Sequence, residues 1–555
     1  MANKKKKKKR VLNARVIWLL LVVISIVFFI SFVRMPMFPI RWAIYVLIGL
    51  LLMLAFTLFL ATIAYKNIFV KTLEFLLCIL LAICSVIMPK IEGQITKLFN
   101  GAEGKGTVIG FYVVNAEYKQ AHPDIFSSTE VSENIEDYAG DVFISSIAVD
   151  SVNQNYALQQ LQKDINANVS IIDRQTLLDA VNSLYNNEGQ VMVLSKTMIS
   201  MITDCEGYEN FNDNVSMIAS YTKEVEETVE KTDVSLTTKP FSIFFGGNDE
   251  EGDLSLVGRT DVDMIVTVNP NTHQISIVSL PRDSYVPNPT YGDGAYDKLT
   301  HLGLNSEIGI QNTMNVFNTV FGLDDVINNY VLINFTTFVQ IINAIGGVDV
   351  DNDIEFYAQF GEYYPAGPVH LEGDYALTYV RERYAFVDGD FERNYHQQIV
   401  MKAIIQKLCS PEIIVHFDNL LNALQDTFLT NISSQSIYAL CKKQLNENIS
   451  WNIVNYRITG DAGGYGYCAA EGDYRSVVYP YENQIDFASN VMRSIINGDI
   501  VTQEELPEGI IDYYDNNSYD NGGYYNADQD TNGYYDDSTF NENTDFNYVY
   551  ADAGN

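Results

Sequence analysis

Residues 16–33, 40–65 and 69–88 form three nearly uninterrupted apolar runs near the start of this 555-residue chain. At roughly 18 to 26 residues each, they match the length a helix needs to cross a hydrocarbon core about 30 Å thick. Lipid offers no hydrogen bonds to the backbone, so a single run of this kind is stable there as a helix and as little else. The runs predict three transmembrane helices within residues 16–90, behind a basic cytoplasmic tail at residues 1–15. No Ala-x-Ala-like site follows the first run, which reads as an uncleaved anchor rather than a signal peptide. Seven Lys and Arg residues crowd positions 4–10. Basic flanks stay on the cytoplasmic side, and an odd number of crossings then places everything after the third run outside the cell. Later connectors barely bear on orientation, since Arg34 and Arg41 oppose Lys66 and Lys71.

The rest of the chain is long enough for two or three domains. A glycine-rich linker at residues 101–106 leads into residues 107–231, where short apolar runs alternate with helical patterns. That alternation predicts a small accessory α/β domain. No charge pattern concentrates there, and no chemistry is expected of it. Residues 240–498 form the larger unit. Strands are expected at 241–245, 264–268 and 275–280, and a helix capped by Thr336 that stops at Gly346-Gly347. Further helices are expected at 393–408 and 481–496. The fold class is α/β, a mixed central sheet flanked by helices. Residues 506–555 are rich in Tyr, Asn, Gly and Asp and hold no Lys or Arg. Such a tail lacks the aliphatic surface for a core and is expected to be disordered. Asp528, Asp530, Asn532 and Gly533 resemble the opening of a calcium loop, but Thr539 stands where a bidentate Glu is needed, and a solvated tail is the preferred reading.

Cysteine usage is sparse. Cys78 and Cys84 lie in the third apolar run, and Cys205, Cys409, Cys441 and Cys468 are scattered through the exported part. One bridge remains open, but there is no disulfide framework and no zinc spacing. The chain carries 70 acidic against 35 basic residues. Large acidic exported domains exclude a nucleic-acid-binding surface on that side.

Against this acidic background, arginine is concentrated in a few islands. Arg259-Thr260-Asp261 stands between two strands, preceded by Gly247-Asn248-Asp249. Pro281-Arg282-Asp283-Ser284 ends a strand, followed by Tyr296-Asp297-Lys298-Leu299. Val380-Arg381-Glu382-Arg383-Tyr384 is followed by Asp390, Arg393 and Gln397, the last two sharing a helix face at i and i+4. Arginine forks that keep their charge suit phosphate, and carboxylates suit a hard cation or a hydroxyl proton. Phosphoryl transfer needs little else. Taken singly, each island is more often a surface ion pair; their order and joint spacing carry the reading.

Residues 244–398 closely resemble the catalytic domain of LytR-CpsA-Psr proteins. The most specific words are Ser279-Leu280-Pro281-Arg282-Asp283-Ser284, Gly346-Gly347-Val348 and Val380-Arg381-Glu382-Arg383-Tyr384. Three spans and an accessory domain resemble the capsule-associated CpsA branch. The resemblance implies a membrane-anchored, magnesium- or manganese-dependent phosphotransferase. Such an enzyme moves a glycopolymer, capsular or teichoic-acid-like, from a polyprenyl pyrophosphate carrier onto peptidoglycan at a Gram-positive-type envelope. It further implies that Asp249 and Asp261 bind the metal, although nearby Asp253 leaves the first carboxylate open. Arg259, Arg282, Arg381 and Arg383 match the pyrophosphate-binding arginines. Arg393, Gln397 and Lys298 are implied as further phosphate contacts, and Asp390 as base, with Arg282, Arg381 and Arg383 stabilising the reacting phosphates. Asn248 and His396 depart from the family pattern without removing a ligand. A prenyl slot is expected along Phe335, Phe338, Ile341, Ile342, Val400 and Ile404. A pyrophosphate hydrolase and a non-catalytic cell-wall regulator are the alternatives.

Overall fold

The structure is a computed structural model. It describes residues 14–506, apart from 36–37, 39, 65–66, 101–106, 224–235, 249–256, 305–307, 324, 411, 414–415, 417–418, 421–422, 424–427 and 448. The basic tail, the glycine linker, Asp249, Asp253, the calcium-like loop and the acidic tail beyond residue 506 lie outside the described residues.

Three long helices open the chain, Ala14–Arg34, Ile40–Ile63 and Ile68–Asn100. The first two, and Ile68–Ile91 of the third, are long and apolar enough to cross a membrane. Their outward surface carries large apolar side chains such as Leu19, Leu52 and Leu76, the surface a lipid-facing bundle requires.

A five-stranded sheet follows, built from β1 (Thr107–Val114), β2 (Val142–Ser145), β3 (Ser170–Asp173), β4 (Val191–Ser195) and β5 (Val215–Lys223) in the order β3-β2-β4-β1-β5. Successive residues of β1 feed opposite faces, as the two-residue period of a strand dictates. Ile109, Phe111 and Val113 pack on one side, and Tyr112 and Val114 on the other. The second of these cores also takes in Leu304 and Ala470 from the later part of the chain.

The larger sheet is six-stranded and mixed. Its strands are β6 (Phe241–Asn248), β7 (Val262–Asn269), β8 (Gln274–Ser279), β9 (Ile327–Asn334), β10 (Phe428–Thr430) and β11 (Asn452–Arg457), ordered β10-β9-β6-β7-β8-β11. β6, β7 and β8 run antiparallel, while β9 and β11 join them in parallel. Helices cover both faces, which is why β7 and β8 read as continuous apolar runs. Phe244, Ile265 and Val278 meet Met314 and Phe317 of the Ile310–Val320 helix and Val491 and Met492 of the Glu482–Asn497 helix. On the reverse face, Met264, Val266 and Ile277 meet Met401 of the Asp390–Leu408 helix.

Two local readings are corrected. The Phe335–Ala344 helix is capped by Asn334, whose side chain accepts the Thr337 N–H at 2.8 Å, rather than by Thr336. Asn334 ends β9 with extended backbone, the conformation an N-cap needs, whereas Thr336 already lies inside the first turn. At the other end Gly346 and Gly347 adopt φ of 76° and 74°. A Cβ on Gly347 would also stand 2.4 Å from the His370 ring, so glycine is required there. The expected prenyl slot is largely core: Ile342 and Val400 are buried among Phe338, Ile341 and Ile404. All six cysteines are free thiols.

Candidate active site

The arginine islands meet in one pocket. Strand register explains the first meeting. β7 and β8 are antiparallel, with Met264 opposite Ser279, so three residues further along each strand Asp261 stands opposite Arg282. Arg282 Nη1 donates to Asp261 Oδ1 at 2.6 Å. The Gly373–Arg381 helix delivers Arg381 and, just past its end, Arg383. The Asp390–Leu408 helix contributes Arg393 and Gln397 from one face. Gln398, next along, is buried and donates to Ser279 Oγ and Tyr456 C=O, both at 2.7 Å. It bolts this helix across β8 and β11 and so fixes where Arg393 points.

The resulting pocket has a volume of about 390 Å³, and its wall includes Arg259, Asp261, Arg282, Arg381, Arg383, Arg393 and Gln397. Five arginines share this wall with Asp204, Asp261, Asp374 and Glu382. Glu382 is turned inward, accepting the backbone N–H groups of Gln359, Tyr384 and Ala385 at 2.7, 2.6 and 2.9 Å. That carboxylate ties the arginine loop together from behind. The Arg381 guanidinium carbon stands over the Phe335 ring, 4.4 Å from its centroid, so Phe335 serves this pocket instead of the expected slot. Arg383 Nη2 donates to the Tyr384 hydroxyl at 2.7 Å.

Charge here is confined. Burial alone would raise the Asp261 carboxyl, but Arg282, Arg393 and Arg259 hold it below the ordinary carboxylate range. Burial lowers Arg393, and the neighbouring Arg282 adds to this against the pull of Asp390 and Asp261. Two donors of the wall have no hydrogen-bond partner among the described residues: Arg282 Nε and Arg393 Nε. Buried donors of this kind are costly unless a ligand or water answers them. Grouped on arginines around one cavity, they suit an anion bearing many oxygens.

Not every expected residue reaches the pocket. Lys298 does not line it, because its ammonium is engaged by Asp283 at 3.0 Å. Asp390 is an ion-pair partner of Arg393 behind the wall. Asp390 is absent from the pocket lining and held by Arg393, so its placement does not favour the role of base. His396 is buried and stacks on Phe356 and Tyr379, with ring centroids at 5.3 and 4.4 Å. Burial, with help from Arg457, pushes its pKa down to about 3, which makes it a neutral core residue.

Three features escaped sequence reasoning. Ser200 and Asp204, from the unit assigned no chemistry, line the pocket. Arg259 Nη1 donates to Asp204 Oδ2 at 2.5 Å. Asp263 is fully buried inside β7, and burial pushes its pKa up to about 8; an Asp inside an otherwise apolar strand was the available signal. Further off, Asp297, His301 and Cys468 bring ligand-type atoms within 4.8 Å of one another. Asp297 already accepts the Lys298 and Ala470 N–H groups at 2.9 and 2.7 Å and faces His301 Nδ1 at 2.6 Å. The cluster is satisfied as a hydrogen-bonded post for the Gly460–Cys468 and Asp473–Pro480 hairpin.

A second cavity, of about 630 Å³, is apolar. Ile243, Val266, Ile405, Leu440 and Trp451 form one part of its lining, and Trp42, Ile87 and Met88 from the opening helices form another.

Helices fit for a membrane, a mixed α/β sheet and a cleft of convergent arginines define the class: an α/β protein with three helices long and apolar enough to span a membrane and an arginine-lined cleft suited to a polyanion. The LytR-cpsA-psr family model matches residues 206–479. A Bacillus mycoides protein named polyisoprenyl-teichoic acid–peptidoglycan teichoic acid transferase TagU is 35% identical over 235 residues, covering 42% of this chain and 72% of its own. A protein of the same name from Enterococcus faecalis is 34% identical over 224 residues, or 40% and 71%. The crystal structure of B. subtilis TagV aligns with 47% of this chain and 98% of its own at 26% identity, with a TM-score of 0.38. The chain belongs to the LytR-CpsA-Psr family.

Proposed function

We propose that this chain transfers a glycopolymer, capsular or teichoic-acid-like, from a polyisoprenyl diphosphate donor to peptidoglycan, with its pocket on the outer side of the membrane. The convergence of five arginines on one cavity carries the reading. The names of its relatives, which act on polyisoprenyl-linked teichoic acid and peptidoglycan, support it.

The chemistry follows from the wall. A peptidoglycan hydroxyl attacks the sugar-linked phosphorus, the bond to the bridging oxygen breaks, and polyisoprenyl phosphate departs with the electron pair. Arg282 and Arg393, buried with unanswered N–H groups, would hold nonbridging oxygens, and Arg381 and Arg383 the outer phosphate. A loose transition state asks for little proton removal before attack, and the hydroxyl proton passes to solvent. Magnesium fits one described residue: Asp261 is a hard oxygen donor held anionic on the pocket wall. Asp261, with Asp249 as its expected partner, would hold the ion, which when bound neutralises diphosphate charge.

The apolar cavity is where the prenyl tail belongs in this reading. The Asp390–Leu408 helix lines both sites, with Gln397 at the arginine pocket and Ile405 at the apolar one. Eight residues of helix set them ~12 Å apart, a spacing suited to the head and tail of one amphiphile.

The test uses the full chain in detergent with lipid-linked glycan, magnesium and peptidoglycan fragments. Glycan joined to the fragments and free polyisoprenyl phosphate are expected. If phosphate-terminated glycan forms while acceptor stays unmodified, water is the acceptor and the transferase reading fails.

A further inference from the structure

The unit that precedes the family-matched residues 206–479 reaches into the arginine pocket. The Ile199–Thr203 helix ends at Asp204, and both Ser200 and Asp204 stand in the pocket wall. Asp204 pairs with Arg259, and the two side chains differ sharply in exposure, 58% for the carboxylate against 10% for the guanidinium. A guanidinium does not shed its charge when buried, so it needs a counter-ion. Burial works against the Arg259 charge, and Asp204 is the strongest influence opposing it, ahead of Asp261. Asp261 is itself engaged by Arg282 at 2.6 Å.

We propose that Asp204 is a displaceable counter-ion that sets how tightly the pocket holds a diphosphate. The proposal rests on the functional reading above and deepens it. A phosphate oxygen approaching Arg259 meets a carboxylate already on its fork, and two anions there repel. Asp204 yields because it is mostly solvated, so releasing it to water costs little, whereas Arg259 stays where it is. Asp204 is therefore a positioning residue that acts through Arg259. Its backbone is held without the ion pair: neighbouring Cys205 is buried, its thiol donates to the Met201 carbonyl at 3.0 Å, and Arg475 Nη2 stands 2.7 Å from its sulfur. Removing the charge therefore leaves the local chain in place.

Calorimetric titration of the full chain in detergent with inorganic pyrophosphate and with geranyl diphosphate, each in magnesium buffer, tests this. Asp204→Asn is expected to bind both probes roughly three- to fivefold more tightly, the upper range for a pair with one exposed partner. Asp204→Glu should return to wild-type affinity. In the Arg259→Gln background, Asp204→Asn should no longer change affinity, and in the transfer assay it should lower KM for the donor without raising kcat. Equal binding by wild type and Asp204→Asn refutes the counter-ion alone. Weaker binding by Asp204→Asn also refutes it and makes the residue a ligand of the diphosphate or its cation. If neither protein binds either probe, the diphosphate reading falls, and this inference with it.

Discussion

Replacing Arg381 by Lys keeps one positive charge and removes both the planar fork and the face that stacks on Phe335. Arg381 is exposed, and among the described residues no carboxylate pairs with it, so its side chain is held chiefly by the ring 4.4 Å away. Exchanging a two-pronged phosphate contact for a point charge forfeits about 1.5–3 kcal/mol. Weaker stacking of an exposed cation adds ~0.5–1 kcal/mol. Together they predict a fall in donor kcat/KM of roughly 30- to 900-fold, at about 1.4 kcal/mol per decade. Folding stability should stay within ~0.5 kcal/mol of wild type, as for surface changes away from structural partners. Initial rates of glycan transfer across donor concentrations, with a thermal melt of each protein, measure both. Transfer within threefold of wild type by a folded Arg381→Lys protein would refute bidentate holding by this residue.

Two further outcomes follow from the pocket's supports. Glu382→Gln turns an amide N–H toward backbone donors, so at least one of three charge-assisted bonds is lost, at about 1.5–3 kcal/mol; faster hydrogen exchange at Gln359, Tyr384 and Ala385 and a transfer rate down roughly tenfold are expected, and unchanged protection would contradict the tie. Asp263 keeps its proton in the fold up to pH about 8, while the unfolded chain loses it near pH 4. Wild type therefore loses stability progressively between those values, by on the order of a few kcal/mol. The melting temperature of Asp263→Asn should gain on wild type across that window and level off above it; a constant difference would show that Asp263 does not titrate this way.

The parts of this site that sit within one hairpin or one helix were legible in advance. The apolar runs at 264–268 and 275–280 read as neighbouring strands, and their antiparallel pairing opposes Asp261 to Arg282, while an i, i+4 spacing places Arg393 beside Gln397. The words Ser279–Ser284 and Val380–Tyr384 further linked islands a hundred residues apart by resemblance. Competition between partners was not legible. Lys298 has a single ammonium, and nothing local says that Asp283 claims it before a phosphate does. Nor does any spacing announce that Asp204, contributed by a separate sheet, meets Arg259, because that contact is made by packing between Tyr112, Leu304, Ala470 and their neighbours. Thr336 lost its expected capping role to Asn334 for a local reason, the extended backbone at the end of β9.

The oily chamber walled partly by Trp42, Ile87 and Met88 bears on how the molecule can be handled. Cutting the chain near residue 100 to obtain a water-soluble fragment would strip one side from that chamber and leave Ile243, Val266 and Trp451 facing solvent. A fragment of that kind would tend to pair through the bared strip or to scavenge detergent. Its grip on long isoprenoids would then describe a trough missing one wall, whereas in the intact chain the anchor supplies that wall.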